Sequence, residues 1–164
     1  MALLFYRWMI HDMTPLAEHK GLSINVQITD NLLVQGDKNR LRQVLSSLIG
    51  NAIKYTSRGE VTIRALSNEA DVIMVQVQDT GDGMDREKLA NIFDPYRRKP
   101  TGGQKYGGLG IGLALSRIYV ELHKGRIWVE STPGVGTTIS FSIPLYKEKK
   151  ICPIETLIDR LPEK

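Results

Sequence analysis

Between Asp37 and Tyr55 the apolar residues Leu41, Val44, Leu45, Leu48, Ile49, Ala52 and Ile53 recur at i, i+3 and i+4 spacing, the period that gathers side chains on one side of an α-helix. Asp37 suits the N-cap, since its carboxylate can accept from the first unpaired backbone N–H groups. A helix with so wide an apolar stripe needs a large apolar surface to cover. The remaining segments offer one. Leu22, Ile24, Val26 and Ile28 alternate with Ser23, Asn25 and Gln27, and strand-like runs follow at Glu60–Leu66, Val72–Gln78, Arg126–Ser131 and Thr137–Pro144. A further short strand is expected at Leu32–Val34.

Other helices are expected at residues 2–19, interrupted at Pro15 and stopped by Lys20-Gly21, at Asp85–Ile92, and from Gly110 to His123, closed by Gly125. Asp94–Gly108 is rich in Gly, Lys, Arg and Pro and reads as a mobile loop. Residues 147–164 read as a loosely docked tail. The 164 residues suit one domain. The lone Cys152 makes neither an internal disulfide nor a metal-ligand spacing, which suits a reducing cytoplasm. No apolar run approaches the roughly 20 residues that cross a bilayer, so no direct membrane contact by this chain is expected. The net charge of +4 comes from scattered Lys and Arg with no interleaved aromatic stripe, which argues against nucleic acid and is compatible with an anionic nucleotide.

Three places carry chemistry. Ser47, Asn51, Lys54 and Tyr55 are related by helical steps and form one strip beside the apolar face. There an amide oxygen suits Mg²⁺, an ammonium suits phosphate and an aromatic ring suits a base; taken alone, these are ordinary solvated residues. The parity of Val72–Gln78 carries Asp79 to the buried face, where a carboxylate needs a partner. Thr80-Gly81-Asp82-Gly83 then lets the backbone approach a ligand closely, although in isolation it is an unremarkable surface turn. Finally Gly108-Leu109-Gly110-Ile111-Gly112 runs into a helix, and its amides and the helix N-terminus together suit an anion. The spacing is neither a dinucleotide fingerprint nor a Walker loop.

Taken in order, an Asn-bearing helix, an Asp-x-Gly-x-Gly turn, a GxGxG loop entering a helix and a Gly-x-Gly-Thr strand resemble the Bergerat-type ATP-binding fold of histidine kinases, gyrase, MutL proteins and ninety-kilodalton heat-shock chaperones. The resemblance covers about residues 15–145. Leu41-Arg42-Gln43-Val44, Asn51-Ala52-Ile53-Lys54-Tyr55-Thr56, Asp79-Thr80-Gly81-Asp82-Gly83-Met84, Ile92-Phe93-Asp94-Pro95 and Gly108–Leu113 are similar to the histidine-kinase boxes. The implied fold is a two-layer α+β sandwich, a mixed sheet of about five strands with three helices on one face. Residues 1–20 would be the end of the second helix of a dimerisation domain, 21–146 the catalytic ATP-binding domain and 147–164 a tail.

The resemblance implies that Asn51 binds Mg²⁺, and that Lys54 and one of Arg97 or Arg98 touch phosphate. It implies Tyr55 against adenine, Asp79 on the adenine amino group, and Gly81 and Gly83 shaping the base pocket. Gly108, Leu109, Gly110, Gly112 and Leu113 would form the phosphate loop, and Thr137 would close the pocket with its hydroxyl. The implied activity is phosphoryl transfer from ATP to a histidine on a dimerisation domain, and from there to the receiver domain of a response regulator. The chain departs from the family at Ser47, where ATPase branches have a Glu that activates water; serine cannot do so, which favours transfer over hydrolysis. It departs again at Tyr96-Arg97-Arg98, which leaves the choice of arginine open. His11-Asp12 followed by Pro15-Leu16 is one residue short of a phosphoacceptor pattern, so this chain is expected to bind ATP without phosphorylating itself. The alternatives are a serine/threonine kinase of the anti-sigma-factor type and an ATP-sensing module without transfer.

Overall fold

The computed structural model describes residues 13–28, 36–67, 72–95 and 111–145. Residues 13–19 are helical (α1), followed by β1 (Ser23–Ile28), α2 (Lys38–Tyr55), β2 (Glu60–Ser67), β3 (Val72–Asp79), α3 (Arg86–Ala90), α4 (Gly112–Leu122), β4 (Arg126–Thr132) and β5 (Gly136–Pro144). The strand expected at Leu32–Val34, most of the loop over Asp94–Gly108 and the tail lie outside the described residues.

The five strands form one sheet in the order β1-β2-β3-β5-β4. β1 and β2 are parallel and the other pairs antiparallel, so the sheet is mixed as expected. A parallel pair needs a long crossover to bring the chain back to the same end of the sheet, and α2 supplies it.

Register aligns the apolar residues in rows across all five strands. Val26, Ile63, Val77, Ile139 and Val129 form one row, and Ile28, Ala65, Val75, Phe141 and Ile127 the next. On the opposite face Gln27, Arg64, Gln76, Ser140 and Trp128 share a row. Arg64 donates to Gln27 and Gln78 at 2.9 and 2.6 Å, and Gln76 to Ser140 at 3.3 Å. The period-two pattern is thus resolved into one helix-covered face and one polar face.

The apolar face is covered by α2, whose Leu41, Val44, Leu45, Leu48, Ile49, Ala52 and Ile53 are all buried, and by α4 through Leu113 and Val120. Ala17 of α1 is wholly buried in the same core. These are the three helices of the layer; α3 buries none of its five residues, and Ile92 and Phe93 behind it pack partly against the core.

The helix ends follow local chemistry. Asp37 accepts from the N–H groups of Asn39 and Arg40 at 2.8 and 3.1 Å, and the Arg40 bond foremost holds its carboxyl below the usual range. His123 ties this end of α2 to the end of α4: its Nε2 accepts from the Asp37 N–H at 2.9 Å, so its Nδ1 carries the proton given to the Tyr119 carbonyl at 2.6 Å. Arg40 donates to the Tyr119 hydroxyl at 2.8 Å and lies 4.9 Å from its ring centroid. At the end of α4 the left-handed residue is Lys124, with φ 59°, while Gly125 supplies the N–H that closes on Val120 at 2.9 Å. The stop expected at Gly125 is therefore shared between two residues.

Phe141, 1% exposed, is among the largest side chains fully enclosed in the core. Phe141→Ala should destabilise the fold by about 3–5 kcal/mol, read as a lower urea midpoint at unchanged slope. A loss below about 1 kcal/mol would show that the two layers do not pack as described.

Candidate functional site

The next row of the covered face changes character. Ile24 and Val61 are followed by Asp79, Thr137 and Ser131, so a strip of oxygen-bearing side chains closes the apolar face at the end of β3. Asp79 is 8% exposed. Its Oδ1 accepts from the N–H groups of Gly81 and Thr137 at 2.9 and 3.3 Å, while Oδ2 has no hydrogen-bond partner among the described residues. Burial pushes the Asp79 carboxyl above its ordinary value; the two N–H groups pull it back and the charge of Asp82 adds to the rise.

The turn after Asp79 is pressed against two neighbours. A side chain at Gly81 would collide with the Tyr55 carbonyl, which also accepts from the Asp82 N–H at 3.5 Å. Gly83 has φ +66° and lies against the backbone of Thr132 and Pro133, a position for glycine alone. The two glycines let the turn sit between the end of α2 and the β4–β5 hairpin. Ser131 locks that hairpin: its hydroxyl accepts from the Met84 N–H at 2.8 Å, donates to the Gly136 carbonyl at 3.0 Å and lies 2.9 Å from the Thr137 hydroxyl. The sequence reading missed Ser131, although it shares strand parity with Ile127 and Val129.

Along α2, Ser47, Asn51 and Lys54 are half-buried and Tyr55 is 43% exposed, the strip that the helical spacing implies. The Asn51 amide has no side-chain hydrogen bond among the described residues. The Lys54 ammonium lies 5.4 Å from the Tyr55 ring centroid. At the far end of the strip, a Cβ on Gly112 would come within 2.6 Å of the Ser47 hydroxyl, so the start of α4 abuts α2 one turn before Asn51. The N-cap residue Ile111 gives α4 no side-chain cap. Leu113 is buried in the core and offers a ligand only its backbone. Arg97, Arg98, Gly108, Leu109 and Gly110 lie outside the described residues. Tyr55 and Asp79 thus share Gly81 as a neighbour, Thr137 stands beside Asp79, and Ser47 meets Gly112.

The end of an amide-bearing helix and a strand-end carboxylate thus meet at a glycine turn on the edge of one helix-covered sheet. Residues 36–147 match the family of histidine kinase-, DNA gyrase B- and HSP90-like ATPases, and the chain belongs to that family. Within it, the chain is of the histidine-kinase catalytic type. It is 42% identical over 115 residues to the adaptive-response sensory kinase SasA of Crocosphaera subtropica, an alignment spanning 70% of this chain and 30% of that protein. It is 39% identical over 146 residues to the circadian input-output histidine kinase CikA of Synechococcus elongatus, spanning 86% of this chain and 19% of that protein. The chain therefore spans less than a third of either relative's length. Among solved structures, full-length ShkA in complex with AMPPNP superposes with a TM-score of 0.78 at 28% identity, covering 88% of this chain and 30% of that one. The catalytic domain of the histidine kinase ThkA gives 0.75 at 26% identity, covering 86% and 90%.

A carboxyl whose pKa is raised by folding holds its proton more tightly in the native state, so its contribution to stability is complete at acid pH and is lost as pH rises through the carboxylate range. Asp79→Asn retains the oxygen that accepts from Gly81 and Thr137 but has no charge to bury. Without nucleotide, the melting temperature of Asp79→Asn should rise relative to the parent chain between about pH 3 and about pH 7. A relative fall over that interval would refute the burial argument.

Proposed function

We propose that this chain is the ATP-binding catalytic domain of a two-component sensor histidine kinase, and that it donates the γ-phosphoryl of ATP to a histidine on a dimerisation domain, which passes it to an aspartate of a response-regulator receiver domain. The observation that carries this reading is Asp79: a carboxylate held at the end of a buried strand, one oxygen engaged by backbone and the other without a partner among the described residues. Such an oxygen is matched to an exocyclic amine such as that of adenine. Tyr55 would lie against the base, Thr137 would close its edge, and Gly81 and Gly83 would keep the backbone near enough to shape the pocket.

The phosphates would extend toward the start of α4, where Gly112 and the uncapped N–H groups suit negative charge, with Lys54, Arg98 or Arg97, and the Gly108–Gly110 loop as further ligands. The half-buried Asn51 amide fits Mg²⁺, a hard cation that takes one or two protein oxygens and completes its shell with phosphate and water. When bound, Mg²⁺ would neutralise charge developing on the phosphates. In the transfer itself the histidine nitrogen forms a bond to the γ-phosphorus as the bond to the bridging oxygen breaks and ADP leaves. Ser47 offers no carboxylate to activate water, which supports transfer over hydrolysis. Residues 1–20 would end the second helix of the dimerisation domain and 147–164 form a tail. No helix among the described residues is long and apolar enough to cross a membrane; use of ATP assigns this domain to the cytoplasm even in a membrane-anchored parent.

Calorimetric titration of the chain with AMPPNP and Mg²⁺ should give micromolar-range binding that Asp79→Asn weakens by about 10–100-fold, the worth of one hydrogen bond to a charged group. Absence of binding by the folded parent chain would defeat this reading. The chain on its own should incorporate no phosphate from ATP. Incorporation abolished by His11→Ala would show instead that it carries its own acceptor.

A further inference from the structure

The C-terminus of α2 adjoins the candidate nucleotide site, and the last four carbonyls of a helix have no partner within it. Here each is taken from outside the helix. The Ala52 carbonyl accepts from the N–H and hydroxyl of Thr56 at 3.1 and 2.7 Å. That of Tyr55 accepts from Asp82, in the turn that follows Asp79. The carbonyls of Ile53 and Lys54, with that of Thr56 beyond the helix, converge on a single ammonium: Lys20 Nζ donates to them at 2.8, 3.1 and 3.2 Å. Three donors meet three acceptors, at the helix end where a cation is also favoured by the macrodipole.

The backbone at Lys20 is fixed, because this residue sits just past α1 in a closed helix end. The Gly21 N–H donates to Glu18 at 2.8 Å and the Leu22 N–H to Ala17 at 3.0 Å, with Gly21 at φ +68°. These are the two bonds of a Schellman motif. The apolar pair that accompanies the motif, Ala17 and Leu22, is 0% and 4% exposed. The end of α1 is thus anchored in the core, and the Lys20 side chain just past it grips the turn of α2 that carries Lys54 and Tyr55. From Lys20 the contacts run through the Ile53–Thr56 carbonyls to Tyr55, from the Tyr55 carbonyl to Asp82 and Gly81, and from Gly81 to the Asp79 carboxylate.

We propose that Lys20 is a positioning residue of the nucleotide site: by clamping the end of α2 to the end of α1, it makes nucleotide binding and the docking of the helix that leads into the domain stabilise each other. The proposal rests on the nucleotide reading above. Linkage requires the effect to be reciprocal: whatever loosens α1 weakens nucleotide binding, and nucleotide must tighten α1.

The test uses the whole 164-residue chain with AMPPNP and Mg²⁺. Lys20→Met, which keeps the aliphatic stem and removes the donors, should weaken binding about tenfold, within the range common for coupled sites. Lys20→Arg, which restores several donors, should recover most of that loss. In the parent chain, nucleotide should slow hydrogen exchange at the amides of Lys20, Gly21 and Leu22, and in Lys20→Met it should not. A side chain that merely props up the fold would lower the melting temperature without making exchange in α1 depend on nucleotide. Parental affinity in Lys20→Met, or exchange in the parent chain that ignores nucleotide, overturns the proposal; the second readout needs no variant and stands even if Lys20→Met fails to fold. Failure of the parent chain to bind AMPPNP is visible in the same titration and would sink the nucleotide reading itself.

Discussion

Burial of α2 against β2, β3 and α4 is the interaction on which the other features depend. Its seven buried apolar residues supply one side of a two-layer core, and its length provides the crossover that lets β1 join β2 in parallel. The same rotation that buries Leu48, Ala52 and Ile53 turns Ser47, Asn51, Lys54 and Tyr55 to the edge of the layer. Fold and candidate site are therefore two faces of one helical periodicity: a substitution that rotated α2 would displace the Ser47–Tyr55 strip by the same angle.

The sheet makes the complementary half of the site by register. Two successive rows of its covered face are apolar across all five strands, and the next changes to Asp79, Thr137 and Ser131 on the last three. A row of polar groups at the end of an apolar face is expensive unless its members bond to one another or to backbone. Here Ser131, Thr137, Gly81 and Gly136 satisfy nearly all of that demand, and one carboxylate oxygen of Asp79 is the remainder. That remainder is the acceptor on which the proposed nucleotide reading rests.

Much of this was legible in the sequence because it rests on local rules. The stripe of α2, its Asp37 cap and the alternation of the strands depend on neighbours within a few residues, and the parity that buries Asp79 follows from counting along β3. The strip from Ser47 to Tyr55 follows from helical steps. What the sequence did not disclose is contact over distance. Lys20 looked like the stop signal of a helix, and its three acceptors lie 33 to 36 positions away. Ser131 looked like an ordinary strand serine until register set it beside Thr137. Gly81 and Gly83 were readable as turn glycines, but the neighbours they accommodate, Tyr55 and Thr132, belong to other elements. Glycine reports that something is close and not what it is.

Asp79 shows how a site of this kind strains the fold that holds it. Its burial favours the neutral acid, and the bonds from Gly81 and Thr137 only partly offset that preference. A neutral acid keeps one acceptor oxygen but loses the charge that strengthens a bond from an amine, so burial and amine recognition pull this carboxyl in opposite directions. The turn that carries it is correspondingly overdetermined, held by the Tyr55 carbonyl on one side and by the Ser131 hydroxyl on the other. Rigid backbone around an under-satisfied acceptor is preorganisation: under the proposed reading a ligand would meet an acceptor already aimed, with the ordering cost met in folding. The clamp at Lys20 extends the same logic outward, since the helix end that fixes one wall of this turn is itself fixed by the helix leading into the domain.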